Sequence, residues 1–122
     1  MPRVLVVDDE RACRDSLRLL LSTYPGWEVE TASGAEEARE ICRRFEPEVL
    51  IVDWMLGEGY CGLDLAETLR ADRPDLEVIL VTGYPSAELS EAVAGDSSIR
   101  HLTKPFQTGE LIAAIEAVAA RK

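Results

Sequence analysis

Three short runs of consecutive apolar residues, Val4 to Val7, Val49 to Val52 and Val78 to Val81, constrain this chain more than any other feature. Side chains of a strand alternate between two faces, so four apolar residues in a row demand apolar cover on both sides of a sheet. A weaker fourth run, Ile99 to Leu102, follows, and helical stripes fill the gaps. Cys13, Leu17, Leu20, Leu21 and Tyr24 make one stripe, and Ala35, Ala38, Cys42 and Phe45 make a second. Leu65, Ala66 and Leu69 make a third, Leu89, Ala92 and Val93 a short fourth, and Leu111, Ile112, Ile115, Val118 and Ala119 a fifth. Each stripe can bury one face against a sheet.

Trp27 to Thr31 follows a different pattern, with Trp27, Val29 and Thr31 alternating with Glu28 and Glu30. That pattern suits a strand covered on one face, at the edge of a sheet. Strands and helices therefore alternate, which predicts an α/β doubly wound parallel sheet of five strands flanked by five helices. Right-handed crossovers, with the two-sided runs in the middle, give the strand order 2-1-3-4-5. The punctuation agrees: Tyr24-Pro25-Gly26 ends the first helix, Ser33-Gly34-Ala35-Glu36 reads as a capping box, and Thr108 as a cap for the last helix.

At 122 residues the chain is read as one domain over 1–122, long enough for a core and too short for a second module of similar size. No apolar run approaches the length of a membrane span. Met1-Pro2-Arg3-Val4 leads straight into a strand with no secretory leader, and the expected location is cytoplasmic. Thirteen Lys and Arg against 23 Asp and Glu, a net charge of -10, argue against direct nucleic-acid binding. Cys13, Cys42 and Cys61 are odd in number and widely spaced, which fits packing residues better than a disulfide framework or zinc site.

The chemistry lies in where the polar residues fall. Asp8 and Asp9 follow the first strand, Asp53 ends the third, Thr82 ends the fourth, and Lys104 lies just past the fifth. In an open α/β sheet these carboxyl ends share one crevice at the topological switch point. Three carboxylates, a hydroxyl and an ammonium are thus expected to meet. Crowded carboxylates repel one another unless a cation intervenes, and an all-oxygen, histidine-free donor set favours Mg²⁺, with Mn²⁺ as the alternative. Mg²⁺ keeps open positions for water and a phosphoryl oxygen, and an Asp carboxylate is a competent nucleophile toward phosphorus. Asp53 is placed for that part.

Leu5-Val6-Val7-Asp8-Asp9-Glu10, Asp53-Trp54-Met55, Val81-Thr82-Gly83-Tyr84 and Lys104-Pro105-Phe106 together resemble the signature of response-regulator receiver domains of two-component signal transduction, across nearly the whole chain. The resemblance implies the flavodoxin-like receiver fold and a phosphorylation switch. Asp53 would accept a phosphoryl group from a sensor histidine kinase or histidine phosphotransfer protein. Asp8, Asp9, Asp53 and the Met55 backbone carbonyl would hold Mg²⁺, and Lys104 would pair with the phosphoryl oxygens. Thr82 would move toward the phosphoryl group, with the residue three before Lys104 following it inward. Here that residue is His101, where the family usually has Tyr or Phe. Tyr84, two residues after Thr82, is read either as overhanging the phosphoryl group and limiting the approach of water or as an exposed loop aromatic. The resemblance further implies a downstream effector protein or output domain and a phosphorylation-linked dimer.

Two other readings use the same residues. A phosphorelay receiver of a hybrid kinase would pass the phosphoryl group onward, and a Mg²⁺-dependent phosphohydrolase would use Asp53 as nucleophile. Gly57, Gly59 and Gly62 also spell G-x-G-x-x-G, but they follow the third strand rather than the first, beside carboxylates that would repel a pyrophosphate.

Overall fold

The structure is a computed structural model that describes residues 2–56, 60–83, 99–104 and 107–119. The strands are β1 (Arg3–Val7), β2 (Glu28–Ala32), β3 (Val49–Asp53), β4 (Met55–Leu56), β5 (Tyr60–Cys61), β6 (Glu77–Thr82) and β7 (Ile99–Thr103). The helices are α1 (Arg11–Ser22), α2 (Ala35–Phe45), α3 (Gly62–Asp72) and α4 (Thr108–Ala119). The main sheet is parallel throughout, in the order β2-β1-β3-β6-β7, which is the expected 2-1-3-4-5 arrangement of the five long strands. The expected short helix around Leu89, Ala92 and Val93 lies outside the described residues, as do Tyr84, Pro105 and Phe106.

The apolar runs behave as the alternation of a strand requires. Leu5, Val7, Leu50, Val52, Val78 and Leu80 point to one core with Ala38, Ile41 and Cys42 of α2 and Leu65, Ala66 and Leu69 of α3. Val4, Val6, Val49, Ile51, Ile79 and Val81 point to the other, with Leu17 and Leu21 of α1 and Leu111, Ile112, Ile115 and Val118 of α4. All twelve strand residues are buried, and each contributes about 1.5–3 kcal/mol relative to exposure. Register is fixed by this two-sided cover, because a slip of one residue would exchange the faces. β7 by contrast is an edge, with Arg100, His101 and Thr103 exposed.

Two helix caps differ from their sequence reading. At α2 the residue that reaches back is Glu37, not Glu36: its Oε1 accepts from the Ser33 backbone N–H at 2.7 Å and from the Ser33 hydroxyl at 3.1 Å. The helix begins at Ala35, so Glu37 is its third residue, the position from which a carboxylate meets the preceding turn. Thr108 is already the first residue of α4. The cap position falls to Gln107, whose N–H donates to Glu110 Oε1 at 3.1 Å. α2 closes on Glu46 in the left-handed region (φ 52°), a conformation usually left to glycine.

Candidate functional site

β1 and β3 are neighbours whose crossovers leave in opposite directions, one toward β2 and the other toward β6. Their carboxyl ends therefore frame the crevice in which Asp8, Asp9 and Asp53 meet: one carboxylate oxygen from each lies within 4.8 Å of the others. Asp8 is buried, Asp53 half-buried and Asp9 exposed, so the cluster grades from core to solvent. Neither Asp8 nor Asp9 sits at the cap position of α1. Glu10 occupies the cap position of α1 without a side-chain bond.

Asp8 is fixed through every polar part. Its N–H donates to the Ala32 carbonyl at 3.2 Å, its Oδ1 accepts from the Glu10 N–H at 2.8 Å, and its carbonyl accepts from Arg14 Nη1 at 2.7 Å. Main-chain bonds carry the ladder one residue past the strands. The Trp54 N–H donates to the Val81 carbonyl at 2.7 Å and the Lys104 N–H to the Thr82 carbonyl at 2.7 Å. Asp53 and Lys104 thus stand on backbone that the sheet still holds.

Lys104 Nζ donates to Asp53 Oδ2 at 3.2 Å and lies 3.6 Å from Asp8 Oδ2, so one ammonium joins carboxylates from the ends of two neighbouring strands. Burial alone would lower its pKa. The hydrogen bond and charge of Asp53, with the charge of Asp8, outweigh burial and hold the ammonium above its ordinary range. Thr82 is buried at the end of β6, one position beyond Val81, the register partner of Asp53. Met55 N–H donates to Asp53 Oδ1 at 3.2 Å, and the Met55 side chain is exposed. His101 stands apart from this cluster, exposed on β7 in register with Leu80.

Two residues carry more than the sequence disclosed. Gly62 is not part of an open glycine loop: it is the buried first residue of α3, and its N–H donates to the Trp54 carbonyl at 2.7 Å. A Cβ there would run into the carbonyl oxygen of Asp53 and come within 2.9 Å of its carbon. Glycine is required because the chain returns against its own acid-bearing segment, where β4 and β5 pair antiparallel, Met55 with Cys61 and Leu56 with Tyr60. Gly57 and Gly59 lie outside the described residues. Cys13, expected to be a packing residue, does pack against the α1 side of the core, but it also hydrogen-bonds Asp8. Burial first, then that bond and the Asp8 charge, push its thiol up to about 11.

This geometry accompanies a family match over residues 4–116 to the response regulator receiver domain. The chain belongs to that family. Among curated proteins it is 40% identical to the response regulator MprA of Mycobacterium leprae and 39% identical to that of Mycobacterium ulcerans, over 121 residues in each case, or 98% of the chain. The match covers 51% and 50% of those proteins, so the receiver domain spans about half the length of the curated relatives it matches. Among solved structures it resembles a response regulator receiver domain protein from Clostridium thermocellum, with TM-score 0.87 and 26% identity, covering 99% of this chain and 96% of that one. It also resembles the response regulator TrrA of Thermotoga maritima in complex with Mg²⁺-BeF, with TM-score 0.74 and 29% identity over 97% of this chain and 99% of that one. The chain is thus a receiver domain of two-component signalling. Among its described residues no helix is long and apolar enough to cross a membrane.

Proposed function

We propose that this receiver domain is a phosphorylation switch whose phosphoacceptor is Asp53, with a sensor histidine kinase or histidine phosphotransfer protein as donor. The observation that carries the reading is the sharing of one ammonium, Lys104, between Asp53 and Asp8, with Asp9 within 4.8 Å. An all-oxygen set of this size fits Mg²⁺. Asp8, Asp9 and Asp53 would hold the ion, with the Met55 carbonyl as a further ligand. When bound, Mg²⁺ offsets the negative charge of the transferring group and of the carboxylates around it.

The residues of the chain do the rest. Oδ2 of Asp53 attacks phosphorus, the bond to the donor nitrogen breaks, and the electron pair leaves with the imidazole. Lys104 turns from the carboxylate to the phosphoryl oxygens, where charge accumulates. Thr82 supplies a hydroxyl from the adjoining strand end, and His101 leaves its exposed position on β7 to follow it. The altered surface then engages an effector or an output domain, by way of a phosphorylation-linked dimer. We place this work in the cytoplasm, in a single domain over 1–122. The Thermotoga maritima relative, solved with Mg²⁺-BeF, supports the metal and phosphoryl parts of the reading.

A small phosphodonor with Mg²⁺ should add one phosphoryl group by intact mass, and Asp53→Asn should add none. Labelling that persists in Asp53→Asn removes Asp53 from the mechanism.

A further inference from the structure

The opposite end of the molecule holds a second, differently charged concavity. The C-terminal parts of α2 and α3 border a cavity of about 290 Å³ lined by Arg39, Cys42, Arg43, Glu46, Leu69, Asp72 and Arg73. Cys42 and Leu69 are buried and give it an apolar floor. Arg39 and Arg43 are four residues apart on α2 and share a face. Neither is in an ion pair among the described residues, although the chain carries 23 acidic residues against 13 basic. Arg73 reaches Glu46 only at 4.0 Å, and its Nε is shut off from solvent with no hydrogen-bond acceptor. A buried, charged N–H without an acceptor is costly, but an Nε closed to water is closed to a ligand oxygen too, so Arg73 serves the cavity through the terminal nitrogens of its partly exposed side chain.

We infer that this cavity between α2 and α3 is a binding site for a small phosphate monoester, held by Arg39, Arg43 and Arg73. Guanidinium groups present fixed forks of N–H donors suited to oxyanions. Two of them from α2 and one from just past the end of α3 match the three terminal oxygens of a phosphate better than the two coplanar oxygens of a carboxylate. The volume holds the phosphate with a short organic substituent resting on Leu69 and Cys42. Glu46 and Asp72 oppose an anion, which keeps binding weak and makes it adjustable. The site is independent of phosphorylation at Asp53, since none of its residues belongs to the acidic cluster.

The test is a backbone-amide NMR titration of the whole chain with inorganic phosphate and glycerol phosphate, in chelator and at constant ionic strength. Without metal the three carboxylates at the other end repel phosphate, so the two ends report separately. Shifts confined to Arg39–Glu46 and Leu69–Arg73 are expected. They should weaken about tenfold in Arg39→Gln/Arg43→Gln, two changes on an exposed helix face, and strengthen in Glu46→Gln. No shift in these segments, equal shifts in the double variant, or tighter binding of succinate than of phosphate would each overturn the proposal.

Discussion

The two ends of the sheet solve the problem of charge in opposite ways. At the carboxyl end Asp8, Asp9 and Asp53 crowd within 4.8 Å and share Lys104. At the amino end opposite charges alternate. Arg3 Nη1 lies 4.0 Å from Glu48 while Arg3 Nε donates to the Glu46 carbonyl at 2.9 Å, and Arg73 faces Glu46. At the amino end these pairs close within the chain, whereas at the carboxyl end three carboxylates have one ammonium between them. The difference separates paired residues that stabilise the fold, such as Arg3, from residues that wait for a ligand, such as Asp9, and substitutions of these two should have opposite signs.

The largest effect is expected at Gly62. A methyl group there meets the Asp53 carbonyl, so Gly62→Ala should cost about 1–3 kcal/mol in urea unfolding. It should also weaken Mg²⁺ binding, because relief of the clash displaces Asp53. An alanine variant with unchanged stability and metal titration would mean that α3 is not braced on the acid-bearing segment.

Asp9→Ala and Arg3→Ala test the sign directly. Loss of the exposed Asp9 should stabilise the metal-free fold by no more than about 1 kcal/mol while lowering Mg²⁺ affinity, whereas Arg3→Ala should destabilise by no more than about 1 kcal/mol and leave Mg²⁺ affinity alone. Urea midpoints and metal titrations of both proteins check this. The same sign for both breaks the comparison.

The smallest effect is a pH dependence. Lys104 in the fold is held above its ordinary value of 10.5. Its contribution should therefore be fully present below the unfolded value and be lost as pH rises through the folded one. The gap in urea midpoint between the wild type and Lys104→Met, in chelator, should stay constant up to about pH 10 and close above it. A gap that closes below the ordinary lysine range would reverse the sign.

Much of this was legible in the sequence for physical reasons that can be named. Val4–Val7, Val49–Val52 and Val78–Val81 can be satisfied only between two apolar layers, so with right-handed crossovers the strand order followed from them. Asp8, Asp9, Asp53, Thr82 and Lys104 could be placed together because strand ends converge at a switch point. Close approach was not legible. Gly62 matters through the backbone of Asp53 nine residues earlier, and nothing in its sequence neighbours distinguishes it from Gly57 and Gly59. The left-handed Glu46 was equally hidden, since the residue that usually marks that conformation is absent. The capping glutamate sits one residue beyond its sequence reading because the cap of α2 is Gly34 rather than Ser33.

The short β4–β5 pair has a consequence for how much length this chain can gain. Met55 pairs with Cys61 and Leu56 with Tyr60, so the segment between Leu56 and Tyr60 is tied off before it can pull on Asp53. Each doubling of a closed loop costs only about 0.6 kcal/mol. Extra residues inserted between Leu56 and Tyr60 should therefore be borne by the hairpin rather than by the acidic crevice. That makes the stretch joining β4 to β5 a natural place for the domain to acquire new sequence, or to be given a tag, while the chemistry a few residues away stays as it is.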